Sequence, residues 1–257
     1  MICLLTNDDG LTAQGLQELR RQLEAMPDVQ VFLVAPERER SAASHSITLH
    51  KPLQVREVSG PGERSRAWSV SGTPADCAKL AIHALLPERP QVLISGVNCG
   101  SNLGTDVFYS GTVSAAIEGT ILGIPSLAVS LSDRTAQDFR LAARVAWQLA
   151  RQVAERGLPP WSLLNVNVPP GQPRGVALTR LGNRKYRDIF DRRLDPRGHT
   201  YFWLGGDALE VDNEPDTDVW AVQHGQVSVT PLRLELTHQA LLQELAGWPL
   251  ERLLDGV

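Results

Sequence analysis

Asn7-Asp8-Asp9-Gly10 sets two adjacent carboxylates between an amide and a glycine, directly after an apolar run. Paired acids beside a residue that permits a tight turn suit a hard divalent cation. Mg2+ and Mn2+ take oxygen ligands, commonly one or two carboxylates with water completing the shell. Neighbouring side chains of a strand point apart, so a turn must begin here if both acids are to face one ion. The plain alternative is that Asp8 caps a helix and Asp9 closes an Asx-turn. A second polar segment, from Arg38 and Arg40 through Ser41, Ser44, His45 and Ser46, offers hydroxyl oxygens for a metal and guanidinium groups for phosphate; it also reads as a solvated charged loop. A third, Gly96 to Gly104, carries Asn98 and Asn102 among three glycines. Such glycines let backbone N–H groups approach an anion, and Asn carbonyls are neutral oxygen ligands. It is neither a Walker loop nor a dinucleotide fingerprint. Ser110-Gly111-Thr112 then opens a predicted helix, whose N-terminus suits an anion.

These segments share one position in the pattern of elements. Ile2–Thr6, Val29–Ala35 and Val92–Ser95 are short apolar runs, each followed by one of the polar loops. Helical spacing over Leu16, Leu19, Leu23 and Met26 separates the first two, and Thr73-Pro74-Ala75-Asp76 is a strong helix start before the third. A helix from about Thr112 to Leu122, a strand at Leu127–Leu131, a helix from about Ala136 to Glu155 and a strand at Leu163–Val168 follow. Repeated strand–helix–strand units predict an α/β fold: a three-layer, Rossmann-like, mostly parallel sheet. Ligands of such sheets sit beyond the carboxyl ends of the strands, so three loops at one end would bring two acids, a hydroxyl, amides and an anion-binding helix start together. That set fits a metal plus a phosphoryl group.

Near residue 170 the pattern changes. Residues 1–170 read as the catalytic core, and 171–257 as a C-terminal hairpin and helix extension used in oligomerisation. Tyr201–Leu204, Val219–Val222 and Gln226–Pro231 look like antiparallel hairpin strands, and Thr237–Ala246 like a terminal helix. Trp203 and Trp220 are candidate packing anchors there, with stacking on a base as the sharper option.

Composition narrows the function classes. The 257 residues carry 25 Lys plus Arg against 29 Asp plus Glu, a net charge of −4. There is no global field for gripping a polyanion, so no nucleic-acid polymer is expected as partner. Nothing approaches the roughly 18 consecutive apolar residues of a membrane span, and the N-terminus lacks the basic region of a signal peptide. Cys3, Cys77 and Cys99 form no Cys-x-x-Cys pair, which makes the cytoplasm the expected compartment. Asp8-Asp9-Gly10 lacks the Asp-x-Asp spacing of an aspartyl nucleophile and no Cys-x5-Arg run exists, so no covalent phospho-enzyme is expected.

The chain resembles the SurE (survival protein E) nucleotidases. The resemblance rests on Asn7 to Gly10, Ala35-Pro36 with Ser41, Gly72 to Cys77, Ser95 to Gly104, Tyr109 to Val113, Asn165 to Pro169 and Val227 to Leu232. It implies metal-dependent hydrolysis of nucleoside monophosphates at the 5′ or 3′ position, with short-chain polyphosphate or broader phosphatase activity as the alternative. A non-hydrolytic nucleotide sensor is the alternative of another class. By resemblance, Asp8, Asp9, Ser41 and Asn98 hold one divalent cation per subunit (Mg2+ or Mn2+, with Co2+ a third option). Asn102, Ser110, Gly111 and Thr112 fall where the family holds phosphate, and homodimers or homotetramers form through the C-terminal arm. In mechanism, Asp8 or Asp9 accepts the proton of the attacking water, and His45 is a candidate general acid. Ala42 stands where the family more often has Gly, Gln14 where Pro is common, and Cys99 where Ala is usual.

Overall fold

The structure, a computed structural model, describes residues 1–58, 65–187, 189–206, 208–209 and 214–254. In chain order the elements are β1 (Ile2–Thr6), α1 (Gln14–Glu24), β2 (Gln30–Pro36), β3 (Val55–Val58), β4 (Ser65–Val70) and α2 (Pro74–Leu80), continued by a π turn at Ala81–Leu85. Then come β5 (Val92–Cys99), a 3-10 turn at Gly104–Phe108, α3 (Gly111–Ile121), β6 (Ser126–Leu131), α4 (Arg140–Arg156) and β7 (Ser162–Val168). The remainder is β8 (Gly175–Leu178), β9 (Lys185–Tyr186), β10 (Ile189–Leu194), β11 (Thr200–Gly205), β12 (Ala208–Leu209), α5 (Asp218–Gln223), β13 (Gln226–Arg233), α6 (Gln239–Leu245) and a 3-10 turn at Leu250–Leu254.

The expected α/β architecture is present. Strands β4-β2-β1-β5-β6-β7 lie side by side in that order, all parallel. The chain builds outward from β1 to β2 and β4, then returns to the other side of β1 with β5. Strand order reverses there, and in a doubly wound sheet the ligand crevice opens at that reversal. Every residue of β1 is buried, as both faces are covered. Cys3 and Leu5 pack with Leu16, Leu19 and Leu23 of α1 and with Ala142, Ala146 and Trp147 of α4. Leu4 faces Cys77 and Ala78 of α2 and Val113 and Ala116 of α3 on the other side. Among the described residues no helix is long and apolar enough to cross a membrane.

Beyond residue 170, β13 pairs antiparallel with β7, and β8 pairs parallel with β13, so both extend the sheet. β10 and β11 form a hairpin whose side chains are exposed throughout, Phe190, Phe202 and Trp203 among them. Trp203 is thus no packing anchor within this chain, whereas Trp220 stacks on His224 at 3.7 Å between ring centroids. Val219–Val222 is not the expected strand but lies in α5. Thr217 caps that helix by accepting the Trp220 N–H, and this local start overrides the β preference of the valines.

One contact ties this part of the chain to the loop that follows β5. Buried Asp218 accepts the N–H groups of Gly104 (2.9 Å) and Gly182 (2.7 Å), as well as that of Val219. Gly104 has φ +52°, and a Cβ there would lie 2.5 Å from the Gly182 carbonyl oxygen, so only glycine allows the approach. Alongside, Arg184 pairs with Asp106 at 2.8 Å, and the Tyr186 hydroxyl donates to the same carboxylate. Asp218→Ala leaves two buried N–H groups without acceptors, a loss of about 3 kcal/mol. Calorimetry should show Tm lowered by roughly 6–12 °C for a chain of this size.

Candidate active site

Asp8 and Asp9 follow the last residue of β1, at the strand-order reversal. The turn that carries them is closed by Asn7, whose amide donates to the Gly10 carbonyl (2.9 Å) and accepts the Gly10 N–H (3.1 Å). Gly10 supplies the required φ of +101°. Asp8 is buried against the start of α3, where Thr112 donates its hydroxyl to Oδ1 at 2.5 Å. Gly111 makes this approach possible, since a Cβ there would lie 2.7 Å from the Asp8 Cβ. Asp9 accepts a long bond, 3.4 Å, from the Cys99 N–H at the end of β5.

The electrostatics of the pair are unusual for a protein at neutral pH. Burial pushes Asp8 from an ordinary 3.8 up to about 6; the Thr112 hydroxyl opposes the shift and the Asp9 charge adds to it. Asp9 is also raised, by burial first, with the Glu39 charge adding and the Cys99 N–H opposing. Among the described residues no Lys or Arg compensates either carboxylate. An all-oxygen donor set with excess negative charge fits a hard divalent cation.

The loops bring the other expected residues up by different routes. Asn98 is freed from strict strand alternation by a register shift between Ser95 and Asn98 in the β5–β6 pairing. Its amide nitrogen donates to the Gly100 carbonyl at 2.7 Å, which leaves the side-chain oxygen for a ligand. Ser41 lies on an exposed arch held at both ends: the Arg40 N–H donates to the Asp8 carbonyl, and Ser44 donates to the carbonyls of Phe108 and Tyr109. The arch is strained, with Ala42 at φ +54° and Ser44 at φ +52°. Ala42 is where the resemblance points to Gly. The Ser41 hydroxyl donates to Glu39 at 2.5 Å rather than to either aspartate.

The expected phosphate-binding residues divide in role. Ser110 accepts the Val113 N–H and so caps α3, and Thr112 serves Asp8. The Gly111 N–H, at the helix start, has no acceptor among the described residues. Asn102 is locked in place: its N–H donates to Asn167 Oδ1, its amide to the Ser130 hydroxyl, and its carbonyl accepts from Asn165 and Asn167. His45 Nε2 lies 2.9 Å from Oε2 of buried Glu118, whose other oxygen takes Lys79 Nζ at 2.7 Å.

Several participants escaped the sequence reading. Asn165 and Asn167 alternate in a buried strand, a pattern that puts both amides on one face and that could have drawn notice. Glu118 is a lone acid directly after the Val113–Ile117 stretch of small and apolar residues, also a usable sign. Glu39 had no signal beyond its charge, because its role arises from the bend of the loop.

A raised carboxylate pKa means that the metal-free fold is destabilised as pH rises through the window between the unfolded and folded values. In EDTA, Asp8→Asn should therefore melt above the wild type at pH 7, by up to about 3 kcal/mol. The difference in Tm opens above pH 3.8 and levels off past about 6. Added Mn2+ should raise the wild-type Tm strongly and that of the variant little. Identical pH dependence in the two proteins would contradict this account.

Comparison with known proteins agrees with the geometry. The family model described as Survival protein SurE matches residues 3–188. A protein named 5′-nucleotidase SurE from Symbiobacterium thermophilum is 53% identical over 253 residues, covering 97% of this chain and 98% of that one. Its namesake from Moorella thermoacetica is 52% identical over 251 residues, covering 96% of each. The crystal structure of the SurE protein from Aquifex aeolicus superposes with a TM-score of 0.81 at 38% identity, covering 95% of this chain and 98% of that one. By this match along the chain, the protein belongs to the SurE family.

Proposed function

We propose that the chain is a 5′-nucleotidase: it releases phosphate from nucleoside 5′-monophosphates, and from 3′-monophosphates as a second class, with one divalent cation per subunit (Mg2+, Mn2+ or Co2+). The observation that carries this reading is the Asp8–Asp9 pair, with Asp8 buried against the start of α3, Asp9 partly buried beside it, and no ion pair to either among the described residues. The relatives named 5′-nucleotidase SurE support the same substrate class.

Asp8, Asp9, Asn98 and Ser41 are the residues that would hold the cation. When bound, it supplies Lewis acidity at a phosphoryl oxygen and a nucleophilic water at neutral pH. The chain's own groups do the rest. One aspartate, Asp8 or Asp9, takes the proton of the attacking water. The phosphoryl oxygens are received at the start of α3, where the Gly111 N–H and the helix dipole meet negative charge. Ser110 and Thr112 set that start, and Asn102 fixes the facing loop. His45 protonates the leaving ester oxygen.

Residues 1–170 act as the catalytic core, and residues 171–257 as the extension that joins subunits; residues 255–257 lie outside the described part. The exposed apolar side chains of the β10–β11 hairpin support a homodimer or homotetramer built through this arm. We assign the protein to the cytoplasm, with no nucleic-acid polymer or membrane as partner.

The test is phosphate release from 5′- and 3′-nucleoside monophosphates and tripolyphosphate, in EDTA and with Mn2+ restored. Metal-dependent release that favours the monophosphates is expected. Asp9→Asn should lower it by roughly a thousandfold, the several kcal/mol that metal polarisation contributes. Release from tripolyphosphate alone would make the protein a polyphosphatase, and nucleotide binding without release a sensor; both overturn the reading.

A further inference from the structure

The Glu118 carboxylate belongs to none of the groups assigned above, yet it is the most deeply buried acid on α3, its side chain 4% exposed. Burying an ionised carboxylate is costly unless both oxygens are paired. Here both are, by partners from two different elements: His45 from the arch after β2 and Lys79 from α2. These partners hold the Glu118 pKa below the usual range, the His45 bond contributing most, so the group is ionised at neutral pH.

Anchoring the arch does not require this charge. Ser44 is bonded to the carbonyls of Phe108 and Tyr109, the Ser46 carbonyl accepts from Thr73, and Thr48 makes two bonds to Asp76. Contacts that do not involve Glu118 thus pin the segment on either side of His45. What Glu118 adds is a fixed ring. With Nε2 given to the carboxylate, Nδ1 is the nitrogen left free, and it has no partner among the described residues. An acid–base histidine oriented by a carboxylate on its far nitrogen is a recurrent catalytic arrangement. Ser44, next in sequence, is bonded to the residues just before Ser110, which places the His45 backbone beside the start of α3, while its ring meets Glu118 about two turns along that helix.

We propose that Glu118 is a positioning residue for phosphate-ester cleavage: it fixes His45 so that Nδ1–H faces the leaving oxygen, while Lys79 neutralises its second oxygen. The proposal rests on the phosphohydrolase reading above. In the step, water forms the new P–O bond and gives its proton to an aspartate. The ester P–O bond breaks with its electron pair on the leaving oxygen, which takes the proton from Nδ1. The ring recovers its proton from solvent.

Leaving-group dependence provides the test, because an alkoxide needs a proton to depart and a nitrophenolate does not. We compare kcat and KM for a nucleoside 5′-monophosphate and for p-nitrophenyl phosphate, with Mn2+, in wild type, Glu118→Gln, His45→Gln and the double variant. A Gln at 118 would offer an N–H where the ring needs an acceptor and so would favour the wrong tautomer, much as the Asp→Asn change does in the serine-protease triad. Glu118→Gln should lower kcat on the nucleotide on the order of a hundredfold, at least tenfold more than on the nitrophenyl ester. The double variant should be no worse than the worse single one. Equal losses on both esters, or additive losses, would overturn the proposal and leave Glu118 as an anchor. If Glu118→Gln does not fold, His45→Gln alone decides: a loss independent of the leaving group refutes the idea. Wild type inert on both esters would instead refute the phosphohydrolase reading.

Discussion

Two adjacent carboxylates, Asp8 buried and Asp9 partly buried, with no ion pair to either among the described residues, are the constraint on which the rest of the site depends. A chain that keeps Asp8 and Asp9 in this state accepts a standing electrostatic cost, visible in the raised pKa of both. The surrounding sequence limits that cost without removing it. Thr112 and the Cys99 N–H donate to the pair, but neutral donors of this kind only soften the repulsion. A divalent cation bound as proposed would remove it, and its binding would then be coupled to fold stability.

The sheet explains why the pair sits where it does. Strand order reverses between β1 and β5, which is where the loops of a doubly wound sheet diverge and a ligand crevice opens. Small residues then let the neighbours close in. Gly111 brings the start of α3 against Asp8, and Gly96, at φ +134°, lets β5 lie where a Cβ would be 2.2 Å from the Val129 carbonyl oxygen. Behind the crevice, the amides of Asn102, Asn165 and Asn167 form a buried lattice with Ser130 that holds the β5–α3 loop from beneath. Asp218 holds the same loop from the C-terminal side. A preorganised loop is what a site must have if developing charge is to be met without reorganisation.

Much of this was legible in the residues. The apolar runs, the caps at Thr73 and Ser110 and the polar loops gave the parallel core, because those signals are local and agree with the global fold. Asp8, Asp9 and Asn98 were marked by residue type at strand ends. What was not legible arises from contacts distant in sequence. Glu118 reaches His45 across 73 positions, Asp218 reaches Gly104 across 114, and the pairing of Ser41 with Glu39 depends on a strained bend. The helix α5 was misread for the opposite reason: its valines carry a strand-like local signal that a Thr cap and packing beside β13 override. The exposed β10–β11 hairpin had the expected β character.

Counting bound Mn2+ by the loss of the free-ion electron paramagnetic resonance signal tests the central claim most directly. The account predicts one tight Mn2+ per chain in the wild type, displaced by excess Mg2+, and none in Asp8→Asn at the same concentrations. Retention of one tight ion by Asp8→Asn, or no tight ion in the wild type, would contradict the claim that the buried pair exists to hold a cation.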